Sequence, residues 1–150
     1  MNLHHFLLII HLIAATIWIG GHLTLSIVYL PLALKKRKPN IILNFERKFE
    51  RLGLTSLITL AVTGIIMAYN FGITIDSWFN FSGSFEKVVS GKLLLLMLTI
   101  VLALYTQFFV IPNLNKYNLK KIAFSIISVT LIGIVMLVLG STLRYGGILF

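Results

Sequence analysis

Apolar residues along this chain run in four long blocks, and the charged residues are pushed into the gaps between them. The blocks cover residues 6–34, 52–75, 93–115 and 122–143. Each exceeds the roughly 20 residues needed to cross a ~30 Å hydrocarbon layer. Backbone placed in lipid must satisfy its own hydrogen bonds, so each block reads as a helix. The pattern predicts an all-α integral membrane protein with four transmembrane helices in one domain spanning residues 1–150. Short connections between successive blocks favour an up-and-down four-helix bundle.

Two of the gaps carry a pattern of their own. Ile42, Phe45, Phe49 and Leu52 recur at helical spacing with basic residues between them, so the second helix should begin soon after Pro39 and lie partly in the interface. Between the second and third helices, Trp78, Phe79, Phe81 and Phe85 form an aromatic belt or a short segment lying on the surface, with Gly83 and Gly91 bracketing its end. Gly53, Gly64, Gly133 and Gly140, with Thr59, Thr63, Ser125 and Ser128, supply the small residues through which membrane helices approach closely.

Composition sharpens the class. A chain 58% hydrophobic and 11% charged has more apolar surface than a 150-residue soluble fold can bury. The first block is too long for a signal-peptide core and no Lys or Arg precedes it, so it is expected to stay in the mature protein. Lys35, Lys36, Arg37, Lys38, Arg47, Lys48 and Arg51 follow the first block, and Lys116, Lys120 and Lys121 follow the third; the opposite side has only Lys87, Lys92 and Arg144. The positive-inside rule makes the basic loops of this multi-pass protein cytoplasmic and puts both termini outside. The net charge of +9 then implies contact with anionic lipid headgroups and no nucleic-acid partner. With no cysteine, disulfides and thiolate metal sites are excluded. No nucleophile triad, phosphate loop or paired catalytic carboxylates stand out, which argues against a hydrolase or a nucleotide enzyme.

The candidate chemistry lies in "HLIAATIWIGGH", residues 11–22. At about 100° per residue, His4, His11, Trp18, His22 and Tyr29 fall within roughly 40° of one another on one helix face. Ionisable groups in lipid should turn toward the other helices, so this stripe is expected to face the bundle. His4 and His5 lie at the outer rim, His11 about 8–10 Å below it, and His22 about 16 Å further in. Met67, Met97 and Met136 come near the level of His11, with Asn70, Lys92 and Arg144 just above. Two centres suit such a layer. One is a soft metal site, since imidazole and thioether ligands favour Cu(I). The other is haem b with His11 as an axial ligand and Lys92 and Arg144 by the propionates. All four histidines belong to the first helix or its outer end, so a haem held between histidines of two helices cannot form within one subunit.

"HLIAATIWIGGH", "FERLGLTSLITLAVTGIIMAYNFG" and "SGKLLLLMLTIVLALYTQFFVIPNLN" together resemble the membrane domain of the copper resistance protein D (CopD) family. The matching positions are His11, Trp18, Gly20, Gly21, Phe49, Arg51, Thr63, Gly64, Gly91 and Lys92. The resemblance implies copper uptake or tolerance. The first helix with "VYLP" at its inner end, Glu50 and Lys92 is also similar to HemJ-type protoporphyrinogen oxidases, small membrane proteins whose resemblance implies haem b on a histidine of the first helix. The leading expectation is therefore a CopD-like protein holding copper in the outer half of the bundle. His11 is the principal ligand, His22 a second site or relay, Met67, Met97 and Met136 soft ligands, and His4 and His5 the entrance. A haem b redox protein is the second expectation. A structural subunit of a larger membrane complex, in which the stripe only packs, is the third; besides lipid, the partner expected is a second copy in a homodimer or another subunit of a membrane complex.

Overall fold

The computed structural model describes residues 2–79 and 81–147. Four helices in it are long and apolar enough to cross a membrane: α1 (Leu3–Lys36), α2 (Asn40–Asn70), α3 (Ser84–Val110) and α4 (Leu119–Tyr145). No strand occurs among the described residues. The all-α, four-span reading of the sequence therefore holds.

The helix ends follow from local chemistry. Asn2 opens α1 by accepting the His5 N–H at 3.0 Å. Arg37, at φ 52°, closes it in the left-handed conformation, and the Lys38 N–H returns to the Ala33 carbonyl at 3.1 Å. Pro39 then leads straight into α2, so most of the basic linker is helical, as its apolar spacing implies. Helix α3 starts nine residues before its charge-free block. The Glu86 carboxylate accepts from the Gly83 N–H at 2.9 Å and from the Ser82 hydroxyl, which closes the helix's first turn. Lys87 and Lys92 thus lie inside the helix instead of ahead of it.

Two π-helical turns were not foreseen from the sequence. Leu25–Tyr29 stands two residues before Pro31, and Thr106–Val110 two residues before Pro112. A proline offers no N–H to the preceding turn and its ring crowds the carbonyl four residues back. The turn widens in response, with Leu30 N–H bonding to Leu25 O and Ile111 N–H to Thr106 O. The first widened turn leaves α1 continuous down to its basic end.

Chain order is not packing order. Helix α1 lies along α2 and against α4, and α4 carries α3, so the consecutive helices α2 and α3 are not close neighbours. Closure comes from side chains. At mid-height Ala15, Trp18 and Ile19 of α1 meet Val129 of α4, with Leu57 and Leu60 of α2 and Leu102 of α3 packed around them. At the basic end Leu25, Leu30 and Ala33 pack with Ile42, Val110, Leu119, Ile122 and Ile126. The opposite end, where α1 begins and α4 ends, is fastened by Phe71 stacked on Phe85 at 5.7 Å with His4 edge-on to Phe71 at 5.2 Å. Most large apolar side chains remain on the outside, among them Ile27, Phe108 and Phe109. A membrane would cover that surface with acyl chains.

Close approach of α1 and α2 depends on one ring. Phe49 lies against the backbones of Gly21 and Gly53; a Cβ on Gly21 would stand 2.0 Å from Phe49 Cζ. Gly21→Ala should therefore destabilise the bundle by about 1–3 kcal/mol through overpacking. Unfolding in detergent with increasing denaturant measures this, and adding Phe49→Leu should recover part of the loss.

Candidate metal centre

The polar stripe of α1 faces the bundle. Trp18 is only 5% exposed and His4, His11, His22 and Tyr29 are half-buried, whereas Leu12, Ile13 and Thr16 on the other side of the helix are exposed. His5, off the stripe at the outer end, is exposed.

His11 is held by α2. Its Nδ1 lies 2.7 Å from Thr63 Oγ1, and the Thr63 hydroxyl donates its proton to the Thr59 carbonyl at 2.6 Å. A hydroxyl has one proton to give, so its oxygen accepts from His11, whose Nδ1 carries the hydrogen. The Nε2 lone pair of a neutral ring is thereby left for another partner. Gly64, the next residue, lets the ring lie down: a Cβ there would be 3.4 Å from His11 Cε1.

The other glycines of the bundle act in the same way. Gly133 receives Trp18, with Cζ3 3.1 Å from a notional Cβ, and Gly140 receives the Lys92 ammonium, which would stand 3.1 Å from a Cβ placed there. Seven residues separate His11 from Trp18, Lys92 from Thr99 and Gly140 from Gly133, a rise of about 10 Å per step. The two steps form two layers. The outer layer holds His11, Thr63, Gly64, Lys92 and Gly140. The inner layer holds Trp18, Gly133 and the aliphatic side chains that close the bundle at mid-height.

Below that closure lies His22. Its Nδ1 donates to the Trp18 carbonyl at 2.9 Å, again leaving Nε2 without a proton. The ring tilts over Trp18 at 4.6 Å and stands edge-on to Phe49 at 6.3 Å. Phe49 stacks on Phe45 at 5.4 Å, and Phe45 lies 4.8 Å from Tyr29, so an aromatic column continues to the basic end. On the α4 side Ser26 and Thr130 hydroxyls meet at 2.6 Å. His11 and His22 are separate stations on one helix.

The structure does not bring every expected residue to His11. Among the described residues no three His, Cys, Asp or Glu side chains gather where they could hold a metal. Met67 is half-buried and falls on the α2 face between Thr63 and Gly64; Met136 is half-buried and within roughly 60° of the face bearing Gly133 and Gly140. Met97 is 58% exposed and about 140° around α3 from Lys92, so it stays outside the layer. Asn70 and Arg144 are exposed at the outer end. Trp18 packs between the two histidine levels. Thr63 is the residue that sequence reasoning undervalued, taken as a packing residue. It sits seven residues from Ser56, and the structure buries both on α2.

Removing the acceptor tests the tautomer. In wild type, ¹⁵N spectra of labelled histidine should show His11 protonated at Nδ1 and bare at Nε2. Thr63→Val should mix the tautomers and lower stability by about 1 kcal/mol, since a largely buried N–H loses its partner.

No curated protein and no solved structure matches the chain. The comparisons give no support to the HemJ-type resemblance. The family model for copper resistance protein D matches residues 43–143. That segment includes Thr63, Gly64, Met67, Lys92, Gly133, Met136 and Gly140, while α1 with His11 precedes it. With two thirds of its length matched, the chain belongs to the copper resistance protein D (CopD) family.

Proposed function

We propose that this membrane protein handles copper by holding Cu(I) in the outer half of the bundle, with His11 Nε2 as the principal ligand. The observation that carries the reading is the Thr63 hydroxyl, which fixes His11 as the Nδ1–H tautomer and keeps its Nε2 lone pair available. A ring nitrogen fixed through its other N–H is the usual arrangement of a metal-binding imidazole. Thioether sulfur suits Cu(I), and Met67 and Met136 are the methionines whose faces turn toward this layer. Met97 has no part in it.

The remaining histidines fit a route. His4 and His5 at the outer end are the entrance, and His22 is a second station beyond the Trp18 layer. Passage between the two stations requires the closely packed ring of Trp18 to move, because Ala15, Ile19 and Val129 pack with it. The location is a bacterial inner membrane, with the Lys- and Arg-rich loops against anionic headgroups on the cytoplasmic side.

Anaerobic Cu(I) titration of the purified protein tests the assignment. His11→Ala should weaken binding by at least ~100-fold and Thr63→Val by about 10–100-fold, as removal of a ligand's supporting hydrogen bond does. Met97→Leu should bind as wild type does. Copper retained by His11→Ala contradicts the site, and a Soret band in the purified protein would move the assignment to haem b.

A further inference from the structure

A groove of about 250 Å³ runs along the outside of the α1 and α2 pair. Buried Ala14 and Ser56 form its floor, with Ile13 and Ile17 on one wall and Leu52 and Thr55 on the other. Its hydroxyls are satisfied within their own helix. Thr55, Ser56 and Thr59 each donate to the carbonyl four residues back, all at 2.8 Å. None of the three keeps a proton for a bond to a neighbouring helix, so the groove presents an occupant mainly with methyl and methylene surface. Gly20, one turn below Ile17, has nothing within 4 Å of the place a side chain would take, so the α1 wall is low where the groove opens toward Leu52.

That mouth is cationic. Lys48 lies one turn before Leu52 and within about 40° of it around α2, and Arg51 directly precedes it; both are exposed. Neither has a carboxylate three or four residues away, and Glu46 and Glu50 fall at least about 120° from Leu52 around the helix. The depth of these cations is the second observation. Gly21 meets Phe49 and Tyr29 meets Phe45, so Lys48 stands level with α1 between those two residues and Arg51 nearly one turn further out. Helix α1 continues past that level with Ile27, Val28, Leu32 and Leu34 exposed, side chains that need hydrocarbon around them. Two cations thus face lipid sideways at a depth where the adjacent helix faces it with aliphatic groups, and such cations attract anionic headgroups.

We propose that the groove is the binding site of one anionic phospholipid, with its headgroup phosphate at Lys48 and Arg51 and one acyl chain lying between α1 and α2 over Ala14 and Ser56. A zwitterionic lipid carries its own cation and gains less at this mouth. A second copy of the chain fits worse still, because a two-fold contact through this face would bring Lys48 and Arg51 against their own counterparts at the same depth.

Native mass spectrometry of the full chain, released from detergent containing equal amounts of phosphatidylglycerol and phosphatidylcholine, tests the site. Wild type should retain one phosphatidylglycerol at least tenfold over phosphatidylcholine. Lys48→Gln combined with Arg51→Gln should bring the two lipids to parity, whereas Lys120→Gln combined with Lys121→Gln on α4 should keep the selection. Thr55→Phe fills the groove from an exposed position, leaves both cations in place and should lower phosphatidylglycerol retention at least tenfold. Parity in wild type, or selection that survives the loss of Lys48 and Arg51, overturns the proposal. Selection lost equally with Lys120 and Lys121 overturns it too, since net charge alone would then be at work, and so does full retention by Thr55→Phe. A lipid-free dimer broken by Thr55→Phe would give the groove to a second copy instead. Should the Lys48 and Arg51 double variant fail to fold, the wild-type comparison and Thr55→Phe decide.

Discussion

An imidazole in hydrocarbon must be given a partner by the protein, because lipid offers none. That constraint organises this molecule. The histidines and Trp18 of α1 share one face, so satisfying any of them turns the helix by the same angle and brings the whole stripe against α2 and α4. Once α1 is turned, Thr63 can accept from His11, Phe49 can lie on Gly21, and Gly133 can receive Trp18. The outward face keeps only groups that lipid tolerates, such as Leu12, Ile13 and a Thr16 hydroxyl bonded to its own helix.

Glycine converts that orientation into sites. Helices in lipid are not driven together by water, so their contacts rely on close fit. Here the gaps left by missing side chains are filled by particular functional groups: Gly64 faces the His11 ring, Gly140 the Lys92 ammonium and Gly133 the indole of Trp18. Heptad spacing stacks these contacts into layers. The outer layer is polar and chemically equipped, the next is aliphatic and closed. A bundle built this way has a polar layer on one side of its midplane and a closely packed one immediately beneath it.

Much of this was legible in the sequence for physical reasons. Spans, their number and the inward stripe follow from periodicity and from the intolerance of lipid for charge, and both are properties of residues taken one helix at a time. The early start of α3 was hidden because Lys87 and Lys92 look like boundary charges until Glu86 is seen closing the helix before them. The π turns before Pro31 and Pro112 were signalled by proline, but whether a proline ends, kinks or widens a helix depends on the packing around it. The partner of His11 was out of reach, because choosing Thr63 among several hydroxyls requires knowing how far α2 slides along α1. For the same reason the level of Met97 could be counted from the sequence, while its exposure depended on the rotation of α3.

The account stands on His11 being turned to Thr63, and solid-state NMR of the protein in lipid bilayers measures that most directly. Magnetisation transfer from the His11 ring nitrogens should reach the Thr63 side-chain carbons, as a 2.7 Å nitrogen-to-oxygen contact requires, and should show no exchange with lipid acyl protons. Strong contact between the His11 ring and acyl chains, with no transfer to Thr63, would contradict it.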